Sequence, residues 1–369
     1  MDERLYWLGF NLIKGVGVVR TRKLLDFFGK LSVAWEAPSD SLQSAGLPEK
    51  SIAYLLQCRN DLDLQRYWDD LQGKGIGILT LLDETYPKRL REIDQPPPLI
   101  YYRGSLKTED EWAVSIVGTR RVTVYGKQIT RDTSMYLAGN GITIVSGLAR
   151  GVDAIAHQAA LDANGRTIAV LGSGVDVIYP PEHRKLADAI IQNGAIISDY
   201  APGTKPEGIN FPPRNRIISG LSRATIVVEA GEKSGALITA KFSVEQGRDV
   251  FAIPGSILSP MSRGTNTLIQ DGAIPLTNPK DVLDVLNYSQ VVEQQSARVE
   301  LPTDTLEIKI MQTLGFEPVH VDDVCNQLNL PIEKVTAALT IMELKGLVQQ
   351  AGGMQYSIVK EAQLPYHTD

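Results

Sequence analysis

Ala113-Val114-Ser115-Ile116-Val117-Gly118-Thr119-Arg120-Arg121 is the stretch on which the reading of this 369-residue chain turns. A short, nearly continuous apolar run matches a strand buried on both faces. A glycine then ends it, and two arginines follow. The same unit recurs along the middle of the chain. Strands are expected at Ala113–Val117, Ile142–Val145, Thr167–Leu171, Ala195–Ser198, Ala224–Val228 and Asp249–Ile253. Helical stretches near 123–138, 152–163, 184–193 and 235–246 separate most of them. Strands alternating with amphipathic helices predict an α/β fold with a doubly wound parallel sheet.

On the N-terminal side, Leu5, Leu8 and Leu12 recur at helical spacing, and Leu24, Leu25, Phe27 and Phe28 form a second apolar face. Gly15-Val16-Gly17 separates the two. The pattern is that of a helix-hairpin-helix, whose Gly-x-Gly turn can offer backbone N–H groups to a phosphate; a plain tight turn between packed helices is the competing reading. From Tyr86-Pro87 to Pro96-Pro97-Pro98 the chain is expected to run extended, because proline removes helix donors. Beyond a polar connector, Glu293-Gln294-Gln295-Ser296, the order is helix, helix, turn at Asn329-Leu330-Pro331, helix Ile332–Lys345 and a hairpin at Gly352-Gly353. That is a winged-helix layout. The divisions expected are 1–80, 81–290 and 300–360.

The chain carries 37 basic and 43 acidic side chains, a net charge of −6. The bulk value argues weakly against nucleic acid, but the charge is uneven. Residues 112–278 hold 16 basic and 13 acidic groups, 11 of the former arginine, whereas residues 279–369 hold 6 and 13. No apolar run approaches the roughly 18 residues of a membrane span. Met1-Asp2-Glu3-Arg4 lacks a basic leader, and Cys58 and Cys325 cannot build a disulfide framework. A cytoplasmic protein is expected.

In doubly wound sheets, ligands bind beyond the carboxyl ends of the strands. Here those ends carry Gly118-Thr119-Arg120-Arg121, and Ser146 to Gly151 with Asp153 and His157 after it. They also carry Gly172-Ser173-Gly174-Val175-Asp176 with Tyr179-Pro180 and Arg184-Lys185 beyond. Phe211-Pro212-Pro213-Arg214-Asn215-Arg216, Glu229-Ala230-Gly231 with Ser234-Gly235 and Lys241, and Pro254-Gly255 with Gly264-Thr265-Asn266 complete the edge. Glycine lets backbone N–H groups approach a phosphate, and arginine forks onto its oxygens. Several such loops on one edge imply an anionic ligand larger than one phosphate. At each position a turn requirement or an ordinary surface charge is the competing reading. His157 reads as a packing partner rather than a base, Asp176 as a loop former and Glu229 as a hydrogen-bond anchor. Phe211 or Tyr179 could stack a base, or lie in the core. Neither G-x-G-x-x-G nor a P-loop is present, and no His/Cys cluster suits zinc, so no cofactor or metal is expected.

Taken together these motifs resemble the DNA-processing protein DprA (Smf) family. The resemblance rests on Val117-Gly118-Thr119-Arg120, Ser146-Gly147-Leu148-Ala149-Arg150-Gly151-Val152-Asp153, Ile168 to Gly172, Phe211 to Ser222, Glu229-Ala230, Ser234 to Ala240, Ala252 to Gly255 and Gly264-Thr265-Asn266. It is strong over about 85–280. Asp199, where the family usually has glutamate, and Ala236, where serine is frequent, are small departures. The resemblance implies an extended Rossmann-like sheet domain. It also implies an N-terminal SAM- or helix-hairpin-helix-like domain and a C-terminal winged-helix-like one. It implies a non-catalytic protein that binds single-stranded DNA and helps load RecA in natural transformation and recombination, commonly as a homodimer, with Leu268 and Ile269 as interface candidates. Carried over, Gly118, Thr119 and Arg120 are the phosphate-holding loop, and Gly147 belongs to the next glycine loop. Arg184 or Lys185 is the basic contact after Tyr-Pro, and Asn215, Arg216 and Lys241 lie in matching motifs. The alternatives are a nucleotide or ribosyl-phosphate enzyme of the lysine-decarboxylase-like type, and a duplex-binding regulator. The acidic winged helix is expected to avoid duplex DNA and to serve a protein contact or a structural role.

Overall fold

The computed structural model describes residues 2–288, 305–314, 318–344 and 347–358. The connector at 293–296 and Lys345 lie outside them. Two compact units divide the chain, Met1–Val282 and Leu283–Asp369.

The first unit is built on a nine-stranded sheet. Its strands are β1 (Gly77–Thr80), β2 (Leu99–Gly104), β3 (Ala113–Val117), β4 (Thr143–Ser146), β5 (Thr167–Val170), β6 (Gly194–Ser198), β7 (Ala224–Val227), β8 (Asp249–Ala252) and β9 (Ile274–Pro275). Their order is β1-β2-β6-β5-β4-β3-β7-β8-β9. Strands β3 to β9 are mutually parallel, while β2 pairs antiparallel with both β1 and β6. The chain winds outward from β3 through β4, β5 and β6, then returns to β7 on the other side of β3. The order reverses there, and crevices for ligands open at such a reversal.

Every residue of β3 to β7 is buried, as the apolar runs require. Alternate residues serve opposite faces. Ala169 and Ile196 join a core shared with the N-terminal helices, including Leu8, Phe10 and Trp35. Ile168, Val170 and Ile197 join a second core with Tyr86, Ile217 and Ile218. The helical segment therefore packs onto the sheet rather than standing apart, and Tyr101 Oη donates to Asn11 Oδ1 at 2.8 Å across the junction.

Helices Val124–Gly139, Val152–Asp162, Arg184–Gln192 and Gly235–Glu245 follow the expected stretches. Three findings differ from the sequence reading. Residues 77–80, placed in the helical segment, form β1. The expected extended run after Tyr86-Pro87 contains a short helix, Lys88–Arg91, and leads into β2. Phe211–Leu221 is a helix despite its two prolines, because they occupy its first turn, where their missing N–H groups have no partner to lose. Near the N-terminus, Gly15–Gly17 does separate two helices, Glu3–Leu12 and Val18–Phe28. Leu24 is fully buried, but Phe27 is 54 % exposed.

In the second unit, helices Thr305–Thr313, Val321–Leu328 and Ile332–Leu344 enclose Ile310, Val324, Val335, Leu339 and Met342. Asn329 ends the middle helix in the left-handed region, the conformation that a short polar side chain tolerates. Strands β10 (Val319–His320), β11 (Val348–Gly352) and β12 (Gln355–Ile358) pair antiparallel in the order β10-β12-β11, which completes a winged helix. Among the described residues no helix is long and apolar enough to cross a membrane.

Candidate nucleic-acid interface

A cavity of about 800 Å³ opens at the carboxyl edge, where the loops after β3, β4 and β7 converge. Hydrogen bonds tie those loops together. The Thr119 N–H donates to Glu229 O at 2.7 Å, and the Val152 N–H donates to Thr119 O at 3.3 Å. The second contact brings Gly151 so close that a Cβ there would lie 2.3 Å from Thr119 O, and its φ of +82° also favours glycine.

Glu229 is a structural anchor. Its buried carboxylate accepts from the Thr123 N–H at 2.9 Å and the Thr123 hydroxyl at 2.5 Å, while Thr123 Oγ1 accepts from the Gly126 N–H at 3.1 Å and so caps the helix Val124–Gly139. The segment 118–123 is thus pinned to the loop after β7 by both the carbonyl and the carboxylate of one residue. That leaves Arg120 and Arg121 exposed at the mouth of the cavity.

The far wall is the first turn of the helix Phe211–Leu221. Arg214 is 5 % exposed, and its guanidinium donates to the carbonyls of Gly147 and Val170. Burial pulls its pKa down to about 10, still well above neutrality, while Asp153 opposes that fall. Burial conversely pushes the Asp153 carboxyl up, against the pull of Arg214 and of the Ala149 and Gly147 N–H donors at 3.3 and 3.2 Å. Both groups act as internal braces for the loop after β4. Asn215 Nδ2 donates to Gly235 O at 3.2 Å and joins this wall to the helix after β7.

An aromatic pair flanks the arginines. Tyr179, 39 % exposed, and the half-buried Phe211 have ring centroids 5.9 Å apart. The Arg120 guanidinium lies 5.7 Å from the Phe211 ring and that of Arg214 5.9 Å from it, within cation–π range. Cations and an exposed aromatic face in one cavity suit a flexible polyanion with stackable groups.

Of the residues singled out from the sequence, Gly118, Thr119, Arg120 and Asn215 line this cavity. Gly147 lies behind it, with the Arg214 guanidinium packed where a Cβ would stand, 2.6 Å away. Arg216 points elsewhere, because residues two apart on a helix face opposite sides. It pairs with Asp199 at 2.9 Å and donates to Gln95 O at 3.0 Å. Lys241 is exposed, 3.8 Å from Glu245, and is not part of the lining. Arg184 and Lys185 are exposed at the start of their helix on the same edge, also outside the lining. Lys233 was missed. It lines the cavity one residue before the Ser234 cap, and its place after the strand at the order reversal was the available signal. His157 is fully buried, with Nδ1 2.6 Å from Thr167 Oγ1, and Asp176 accepts from the Gly203 N–H at 2.8 Å, so both hold structure.

A family model described as DNA recombination-mediator protein A matches residues 77–287, more than half the chain. The chain belongs to the DprA/Smf family. A model of the DprA winged helix domain matches residues 294–354. Protein Smf of Synechocystis sp. is 39% identical over 393 residues, covering 96% of this chain and 98% of that one. The DprA structure from Streptococcus pneumoniae superimposes with a TM-score of 0.67 at 36% identity, covering 77% of this chain and 97% of that one. A Helicobacter pylori DprA structure, which concerns that protein's single-stranded DNA binding mode, gives a TM-score of 0.53 at 35% identity over 58% of this chain and 96% of that one.

Proposed function

We propose that this DprA/Smf member is a single-stranded DNA-binding recombination mediator that grips the strand in the carboxyl-edge cleft. The observation that carries the reading is the meeting of Arg120, Arg121 and Lys233 with the exposed Tyr179 face in one cavity. A single strand supplies both what the cations need and what the ring needs: phosphates at short intervals and unstacked bases. The Helicobacter pylori relative, whose structure concerns that binding mode, supports it. Gly118, Thr119 and Arg120 hold phosphate, Asn215 shapes the wall, and Arg184 or Lys185 extends the contact along the edge. Neutralising three or four phosphates gives a salt slope of roughly −2 to −3.

The protein acts without catalysis. Glu229 is committed to Thr123, and Asp153 to the loop after β4, which leaves neither poised to move a proton. It places RecA on the strand it holds, and works as a homodimer through the sheet unit in the cytoplasm. A gel shift tests the core of this reading. Arg120→Glu should abolish binding to single strands while the protein stays folded. Equal affinity of the unmodified protein for duplex, or binding that survives the substitution, sinks it. The RecA step is read separately, as a shortened lag in RecA filament growth on single strands.

A further inference from the structure

The loop after β4 carries a cation that stands at the rim of the edge cleft but outside its lining. Arg150 lies between Ala149, which lines the cleft, and Gly151, which packs on the backbone of Thr119 and Arg120. Its side chain is 61 % exposed, and among the described residues it has one partner, Glu182. Arg150 Nε donates to Glu182 Oε1 at 2.5 Å, and the Glu182 side chain is itself 50 % exposed. Glu182 comes from the short turn Pro181–His183, just beyond the cleft aromatic Tyr179. That turn is fastened to the same loop a second time, because His183 Nδ1 donates to Leu148 O at 2.9 Å. The turn therefore keeps a hold on the loop whether or not the ion pair is made.

The pair uses little of what the arginine offers. Only Nε is engaged, and the terminal guanidinium nitrogens have no acceptor among the described residues. An exposed, single-point ion pair in water is weak, whereas a phosphate can take two guanidinium N–H groups in a fork. Arg150 also links two sets of cations. Gly151 joins it to Arg120 on one side, and on the other Glu182 is followed closely by Arg184 and Lys185, which lie outside the cleft lining. We infer that Glu182 masks Arg150 in the free protein, and that a single strand in the edge cleft displaces the carboxylate and takes Arg150 as a further phosphate contact. The inference rests on the single-strand reading above. A strand already gripped at Arg120 presents its next phosphates at high local concentration, which a free small anion does not. Glu182 thereby favours a polyanion over a lone phosphate at this position.

Fluorescence anisotropy with an oligothymidylate of roughly 20 nucleotides, titrated over a range of salt, tests it as a double-mutant cycle. Arg150→Gln should weaken binding about threefold to tenfold and shrink the salt slope by about 0.7, one phosphate contact. Glu182→Gln should tighten binding about twofold to fivefold, the scale of one exposed ion pair that no longer has to break. With Arg150→Gln present, Glu182→Gln should give no more than a plain field effect. Glu207 reports that effect: it is exposed between the cleft-lining Pro206 and Gly208 and pairs with no cation among the described residues. Glu207→Gln should shift affinity by the same factor in either background, and a shift that depends on Arg150 overturns the inference. A gain from Glu182→Gln of equal size with and without Arg150 overturns it too, since the carboxylate would then act only at a distance. Weaker binding in Glu182→Gln does the same, by making the pair a brace for the Tyr179 segment. Unchanged affinity and slope in Arg150→Gln is equally fatal. If the unmodified protein fails to bind the strand, the single-strand reading falls; binding without the coupling sinks only the masking of Arg150.

Discussion

Two glycines in the helix Val124–Gly139 should respond to alanine with opposite signs. Replacing glycine by alanine inside a helix ordinarily stabilises by about 0.5 to 1 kcal/mol. Gly139, in the last turn, has nothing within 4 Å of the added Cβ, so Gly139→Ala should follow that rule. At Gly126 the Cβ would stand 2.3 Å from Glu229 Oε2, 2.5 Å from its Cδ and 2.8 Å from Val122 Cγ2. The carboxylate that pins Thr123 would have to move. Overpacking of that kind costs about 1 to 3 kcal/mol, and weakening a charge-assisted bond adds about 1.5 to 3. After the propensity gain, Gly126→Ala should destabilise by roughly 2 to 5 kcal/mol. It should also weaken single-strand binding, because segment 118–123 loses its anchor while Arg120 remains. Urea unfolding followed by tryptophan fluorescence is the assay. All four tryptophans, at 7, 35, 68 and 112, lie in the first unit, so the signal reports that unit alone. If both variants are stabilised alike, the assignment of Glu229 as the anchor of the Arg120 loop is wrong.

Tyr179→Ala should weaken single-strand binding by about 1 to 3 kcal/mol, the range for one base stacked on an aromatic, with the salt slope unchanged; a changed slope would mean that the ring acts on phosphates instead. His157 should make the first unit acid-sensitive. Burial holds its pKa down at about 3, against an unfolded value of about 6.5, so the unfolded chain binds more protons below pH 6.5 and stability falls there as pH drops. Lowering the pH from 6.5 to 4.5 should remove about 2 to 3 kcal/mol through this group, whereas His157→Asn should lack that component in a urea titration at the two pH values. Deleting residues 300–369 should leave most single-strand affinity intact. The helix Ile332–Leu344 bears one lysine, Lys334, against Glu333 and Glu343, so a large loss on deletion would contradict an acidic appendage that avoids DNA.

Much of the sheet was legible because its strands are buried on both faces, so their signal is a bare apolar run that needs no partner to interpret. β1 and β2 were not, because Gly77–Thr80 is short and Leu99–Gly104 follows three prolines that mask it. The helix Phe211–Leu221 was hidden by composition, since Pro212 and Pro213 read as breakers until their first-turn position is known. For the site, the loops were legible and the directions of side chains were not. Arg214, Asn215 and Arg216 are adjacent in sequence, yet only helix phase decides that the first two line the cleft and the third pairs with Asp199. Lys233 escaped notice for the converse reason. It sits between Gly231 and Ser234-Gly235, in a loop marked by its glycines rather than by its cation, and the reversal of strand order at β3 and β7 is what brings it to the cavity.

In the proposed function a single strand lies in the edge cleft with a base at Tyr179 or Phe211. Photo-crosslinking with a short oligonucleotide carrying 5-iodouracil, followed by peptide mapping, reads that contact directly. Adducts at Tyr179 or Phe211, lost in Arg120→Glu, are the predicted result. Adducts confined to the winged helix at 305–358, with none at the carboxyl edge, would contradict it.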